Sequence, residues 1–129
     1  MKSPRDHALG LLAKAANDLV AARATLATGR AMDTVCFHSQ QAAEKALKAL
    51  LAMKDVEYPW RHDMGELLEL VGKHYPHLPV PVEELTELSP YAVEARYDDA
   101  WAPDEQEARR ALALAERMHA MAERMVGGE

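Results

Sequence analysis

The sequence predicts an all-α protein, and three features support this fold class. Ala and Leu dominate an apolar fraction of 49%, whereas Ile is absent and Phe occurs once. Ala, Leu, Glu, Arg and Met favour helices, while the β-branched and aromatic residues that favour strands are scarce. Apolar residues also recur at helical spacing along several stretches. We therefore expect an antiparallel up-and-down bundle of four main helices plus a short broken helix, forming a single domain over residues 1–129.

The first helix is predicted over residues 4–28. Ser3 followed by Pro4 combines a capping hydroxyl with a first-turn proline, and Gly29 provides a natural stop. Seven apolar residues at helical spacing form its predicted core face: Ala8, Leu11, Leu12, Ala15, Leu19, Ala22 and Leu26.

The remaining elements follow from similar signals. Asp33 or Thr34 is expected to cap a second helix that runs to about Lys54. A third helix is predicted at about 62–74, and a final one at about 103–125. Prolines between these two helices predict a loop with two short helical turns, at 81–88 and 89–96.

The second helix carries a polar stripe within an apolar sequence. On a helical wheel, Gln41, Glu44 and Lys48 lie opposite a broad apolar arc. Phe37 and Leu51 lie in the middle of this polar arc, where two large apolar side chains would face water. The stripe is therefore predicted to be either a solvated face, a subunit contact or a binding site.

Each of these three interpretations assigns the stripe a different chemistry. On a solvated face, Glu44 and Lys48 would form an i,i+4 pair. In a nucleotide site, Lys45 or Lys48 would meet phosphate. In a dimer interface, Phe37 and Leu51 would be buried against a partner, and their presence favours this interpretation. The predicted interface residues are Phe37, Gln41, Glu44, Lys48 and Leu51.

The distribution of charge limits the range of partners. Residues 1–82 carry a net charge of +1 and residues 83–129 carry −7, which together give the −6 of the whole chain. A strongly acidic last third argues against binding along a nucleic-acid backbone, which requires clustered positive charge. The single Cys36 excludes an intramolecular disulfide, and no apolar run reaches the length of a membrane span. We expect a soluble, cytoplasmic protein.

Three sequence segments, in order, resemble the HEPN domain, the higher eukaryotes and prokaryotes nucleotide-binding family. They are CFHSQQAAEKALKALL, HDMGELLELV and ARYDD, and the resemblance covers nearly the whole chain. It implies a bundle of about five helices that is usually dimeric. In bacteria such proteins are often encoded beside a minimal nucleotidyltransferase and form a complex with it, and nucleotide binding has been proposed for the family.

Some HEPN proteins are RNA-cleaving toxins that use an Arg followed, after four to six residues, by a His. No Arg in this chain is followed by a His at that spacing. The nearest approach is Arg30 to His38, with seven residues between them, and Arg96 is followed by YDDAWAP. The sequence therefore predicts that this RNase chemistry is missing.

Other candidate sites are weaker. His74 and His77 have a spacing seen among metal ligands but lack neighbouring Cys, so we expect no metal site and no cofactor. Cys36 and His38 diverge on a helix, which argues against a Cys/His nucleophile.

The resulting leading hypothesis is a dimeric HEPN-like partner of a minimal nucleotidyltransferase, in a toxin–antitoxin-like pair and without RNase chemistry. The alternative is a nucleotide-binding module, and a residual RNase with other catalytic residues is a third hypothesis. The cleft of the nucleotide-binding alternative would be lined by Lys45, Lys48, His62, Arg96 and Tyr97.

Overall fold

Strong helix formers and local capping interactions set the bounds of the helices. The computed structural model describes residues 2–58, 64–78, 82–91 and 99–127, and within them it contains helices and no strand. The predicted all-α antiparallel bundle is confirmed. Its elements are α1 (Pro4–Ala27), α2 (Met32–Met53), α3 (Met64–His74), a 3₁₀ helix (Val82–Leu88) and α4 (Glu105–Gly127).

Helix α1 begins as predicted, at a capping box. The Ser3 hydroxyl accepts a hydrogen bond from the backbone N–H of Asp6 at 3.1 Å, and the Asp6 carboxylate accepts one from the Ser3 N–H at 3.4 Å. Two N–H groups that the helix leaves unpaired are thereby satisfied. Of the seven predicted core residues of α1, Leu11 and Leu26 are partly buried. The other five are buried: Ala8, Leu12, Ala15, Leu19 and Ala22.

The turn between α1 and α2 contains two left-handed residues. Gly29 has φ +72°, which glycine adopts without strain, and Ala31 has φ 58° and is the N-cap of α2. The prediction that Asp33 or Thr34 caps α2 is wrong, because the helix already begins at Met32 and no side chain caps it.

Helix α2 is the central helix of the bundle. It packs antiparallel to α1 and also contacts α4, α3 and the 3₁₀ helix. None of its residues is exposed, because neighbouring helices cover it from several directions. Its largest fully buried apolar side chains are Leu47, Leu50 and Leu51.

Helix α3 packs through the apolar face predicted for it, which comprises Leu67, Leu68 and Val71. Two hydrogen bonds fasten its end to the end of α2. The Tyr75 hydroxyl donates to the Leu50 carbonyl at 2.7 Å, and Lys54 Nζ donates to the His74 carbonyl at 2.7 Å.

Helix α4 closes the bundle by packing on both α1 and α2. Its buried His119 donates a hydrogen bond through Nε2 to the Leu12 carbonyl of α1 at 3.0 Å. At the surface, Arg23 of α1 pairs with Glu116 at 2.8 Å. These contacts run in opposite directions along the two helices, so α1 and α4 are antiparallel.

Candidate functional site

The polar stripe of α2 forms a hydrogen-bonded network that is largely inside the bundle. Gln40 is 0% exposed and Glu44 is 1% exposed. Gln40 Nε2 lies 3.4 Å from Glu44 Oε1, and Gln41 Nε2 donates to Gln40 Oε1 at 2.6 Å. Buried polar groups are tolerated only when they are paired, and no buried side-chain nitrogen or oxygen in the described ranges lacks a partner.

Lys48 extends from this network toward the connection that follows α2. Its Nζ lies 3.5 Å from Glu44 Oε2 and 5.4 Å from the centre of the Tyr58 ring. A cation held over an aromatic face and beside a carboxylate is already stabilised within the chain. The predicted i,i+4 pair of Glu44 and Lys48 is therefore present, although it lies in the interior and not on a solvated face.

Lys45 is held by a different carboxylate, on α1. Its Nζ is 2.5 Å from Asp18 Oδ2, and His38 Nδ1 is 3.0 Å from Asp18 Oδ1. These three partly buried side chains join α1 to α2 near the middle of both helices. The two lysines that were predicted to bind phosphate thus face two separate carboxylates, Asp18 and Glu44.

The bundle itself covers part of the predicted contact surface on α2. Leu51 is fully buried, and Glu44 is almost completely so. Neither side chain is available to a second chain while the bundle is folded. Phe37, Gln41 and Lys48 are half-buried, and their part in an interface stays a prediction. Of the predicted nucleotide-binding residues, His62, Arg96 and Tyr97 lie outside the described residues.

A cavity of about 590 Å³ lies between the start of α1 and the segment after α2. In it, His7 Nε2 is 2.8 Å from the Tyr58 hydroxyl, and the two rings are stacked. Lys2 contributes a positive charge, while Asp55 and Glu57 contribute two carboxylates. The lining therefore does not favour a polyphosphate. Sequence reasoning missed this cavity because Tyr58 lies in an irregular connection that has no periodic pattern.

Comparison with known families decides between the possible classes of helical bundle. A model of the HEPN domain matches residues 8–125. The chain belongs to the HEPN domain family. The resemblance predicted from the segments quoted above is thereby confirmed.

Two solved structures share the HEPN-like fold of this chain. The protein TT1696 from Thermus thermophilus is 31% identical, with a TM-score of 0.74 over 91% of this chain and 96% of that one. ST0689, an archaeal HEPN homologue, is 24% identical, with a TM-score of 0.68 over 98% of this chain and 99% of that one. The second likeness shows the fold alone. No curated protein matches the chain.

The lone cysteine of this HEPN chain lies in an unreactive environment. Cys36 is buried near the start of α4, and burial together with the nearby Glu107 raises the pKa of its thiol to about 12. The Tyr91 hydroxyl donates to Glu107 at 2.9 Å, and burial and this hydrogen bond raise the pKa of Tyr91. Because the thiolate is the nucleophile, this arrangement argues against cysteine chemistry.

The described residues offer no metal-binding cluster and no helix of membrane-spanning character. In residues 2–58, 64–78, 82–91 and 99–127, no group of His, Cys, Asp and Glu side chains could hold a metal ion. Within the same ranges, none of the helices is both long enough and apolar enough to cross a bilayer.

Proposed function

We propose that this HEPN protein is a non-catalytic, dimeric partner of a minimal nucleotidyltransferase. The observation that carries the proposal is the absence, from the whole sequence, of an Arg and a His at the spacing used by RNA-cleaving members. The expectation of a protein partner comes from the resemblance of the quoted segments to HEPN proteins that form such complexes, and the family match supports that resemblance.

The electrostatics of α2 argue against a nucleotide-binding role. Lys45 pairs with Asp18, and Lys48 lies beside Glu44. A nucleotide phosphate would have to displace these carboxylates or bind next to them, and like charges repel at such distances. We therefore favour the partner protein over the alternative of a nucleotide cleft.

Co-purification tests the proposed complex. The protein is expressed together with the tagged product of the neighbouring gene, which the proposal expects to be a minimal nucleotidyltransferase. The eluate is analysed by size-exclusion chromatography with light scattering. We expect a single complex of fixed stoichiometry. Separate elution of the two proteins at micromolar concentration would contradict the proposal.

Two assays on the isolated protein test its non-catalytic character and the nucleotide alternative. We expect tRNA and mRNA to remain intact during incubation, and we expect calorimetric titration with ATP or GTP to give no heat. RNA cleavage would overturn the non-catalytic part of the proposal. Nucleotide binding that is lost in Lys48→Ala, but retained in the exposed control Lys14→Ala, would instead favour the nucleotide-binding module.

A further inference from the structure

Helix α1 has a second apolar face, which the bundle does not cover. Leu9 is 45% exposed and Val20 is 61% exposed, and both of the large apolar side chains found exposed in the described ranges lie on this helix. Exposed or half-buried alanines fill the positions between and beyond them at spacings of three and four. We call this set the apolar α1 face: Leu9, Ala13, Ala16, Val20, Ala24 and Ala27.

This face is adjacent to the core face of α1. The core of the bundle uses Ala8, Leu12, Ala15, Leu19 and Ala22, which centre about a third of a turn away around the helix, and Leu12 lies at the border of the two faces. A surface helix normally has one apolar stripe and one polar side. Spacings of three and four along the apolar α1 face are those of a seam between two packed helices.

A groove runs beside the apolar α1 face. It has a volume of about 240 Å³ and is lined by Leu9, Leu12, Ala13 and Ala16 of α1 and by Glu123 of α4. Val20 projects from the same face one turn beyond this groove. The face therefore presents both a protruding side chain and a recess made largely by alanines.

We propose that a second copy of this chain binds the apolar α1 face, with the two α1 helices antiparallel. When the twofold axis crosses the seam at the level of residue 18 along α1, each large side chain meets a small one. Val20 then faces the partner's Ala16, and Leu9 faces the partner's Ala27. Helix pairs pack well when a large side chain on one helix enters a recess left by a small one on the other.

Charge complementarity supports the same arrangement. Arg23 is held on the α4 side of the face by Glu116, and it remains half-exposed. The antiparallel pairing places Arg23 opposite the partner's Ala13, beside the partner's Glu123. The Glu123 side chain is 59% exposed, and its Oε1 lies 3.3 Å from His119 Nδ1 of its own chain, so that Arg23 would join an existing contact. Two symmetric ion pairs would flank the apolar seam.

A parallel arrangement fits less well. The same residues of the two copies would then face each other, so that Val20 meets the partner's Val20 and Arg23 meets the partner's Arg23. Large side chains would hold the helices apart at the alanine positions, and like charges would oppose each other.

The inference rests on the dimer in the proposed function and places its contact on α1 instead of α2. Because the face from Leu9 to Ala27 is about 27 Å long at 1.5 Å per residue, the contact is small. Small interfaces belong to transient complexes, so we expect dissociation on dilution.

Sedimentation equilibrium over a range of protein concentrations tests the interface. Val20→Glu should weaken the dimer at least about tenfold, since it places a charge in the apolar seam. Arg23→Glu and Glu123→Arg should each weaken it, and the double variant should recover because the ion pairs re-form with exchanged charges. Arg109→Glu, which alters an exposed ion pair elsewhere on α4, should leave the dimer unchanged.

The outcomes separate this inference from the proposed function. If the wild-type protein is monomeric at all concentrations, both the proposed α1 interface and the dimer of the proposed function are contradicted. A wild-type dimer that Val20→Glu does not weaken would place the contact elsewhere and would overturn the α1 interface alone. Circular dichroism of each variant confirms that any loss of dimer is not a loss of fold.

Discussion

Helices α1 and α2 contrast in how their composition relates to their burial. Helix α2 carries the polar stripe, yet none of its residues is exposed, and Gln40 and Glu44 are among its most buried side chains. Helix α1 has apolar residues on two faces, yet one of these faces meets solvent. Burial in this bundle therefore follows the position of a helix among its neighbours, and polarity alone does not reveal it.

The largest expected difference in stability is between an aspartate introduced on α2 and an aspartate introduced on α1. Leu51→Asp should lower the free energy of unfolding by more than about 4 kcal/mol, because the carboxylate would be buried without a partner. Val20→Asp should change it by less than about 0.5 kcal/mol, since the position is exposed in the monomer. Urea unfolding of dilute protein compares the two variants. Equal losses of stability would contradict the difference in burial between the helices.

A smaller effect is expected from removing the buried carboxylate of α2. Glu44→Ala should destabilise the fold by about 3 kcal/mol, since Gln40 and Lys48 would lose a partner inside the bundle. The matched control is Glu116→Ala, which breaks an exposed ion pair and should cost less than about 1 kcal/mol. If the two variants unfold at the same urea concentration, Glu44 is not held by the interior network.

The last comparison is expected to leave stability unchanged. It measures how fast a thiol on each of the two helices reacts with a reagent from solvent. At pH 8, Cys36 on α2 should react with a thiol reagent only as fast as the protein opens, because it is buried and its pKa is raised to about 12. In a Cys36→Ala background, Lys14→Cys places a thiol on the exposed side of α1 and should react at least about a hundredfold faster. Similar rates for the two thiols would contradict the burial of α2.

The bounds of the helices and their core faces were predictable because they depend on neighbours in sequence. The capping box at Ser3 and the stop at Gly29 are local signals, and apolar periodicity located the buried residues of α1 and α3. The start of α2 was not predictable in this way, since Ala31 adopts a left-handed conformation that its sequence does not favour.

The candidate site was harder to predict because it depends on which helices surround α2. A helical wheel assumes one buried side, whereas α2 is covered from several directions, so Leu51 and Glu44 were placed on an outer face. The pairing of Lys45 with Asp18 joins two different helices and has no signature in the sequence of either. The exposed face of α1 did have a signature, since its apolar residues are more numerous than one core face requires.

The short turn between α1 and α2 also bears on how the chain folds. Residues 28–31 join two helices in extensive contact, so pairing them costs little loop-closure entropy. We expect this hairpin to form early and α4 to dock onto it later. Two single variants at buried alanines test this order in stopped-flow experiments. Ala22→Gly lies in the hairpin and should slow refolding, whereas Ala122→Gly lies in α4 and should mainly speed unfolding. The reverse pattern would mean that folding begins at the other end of the chain.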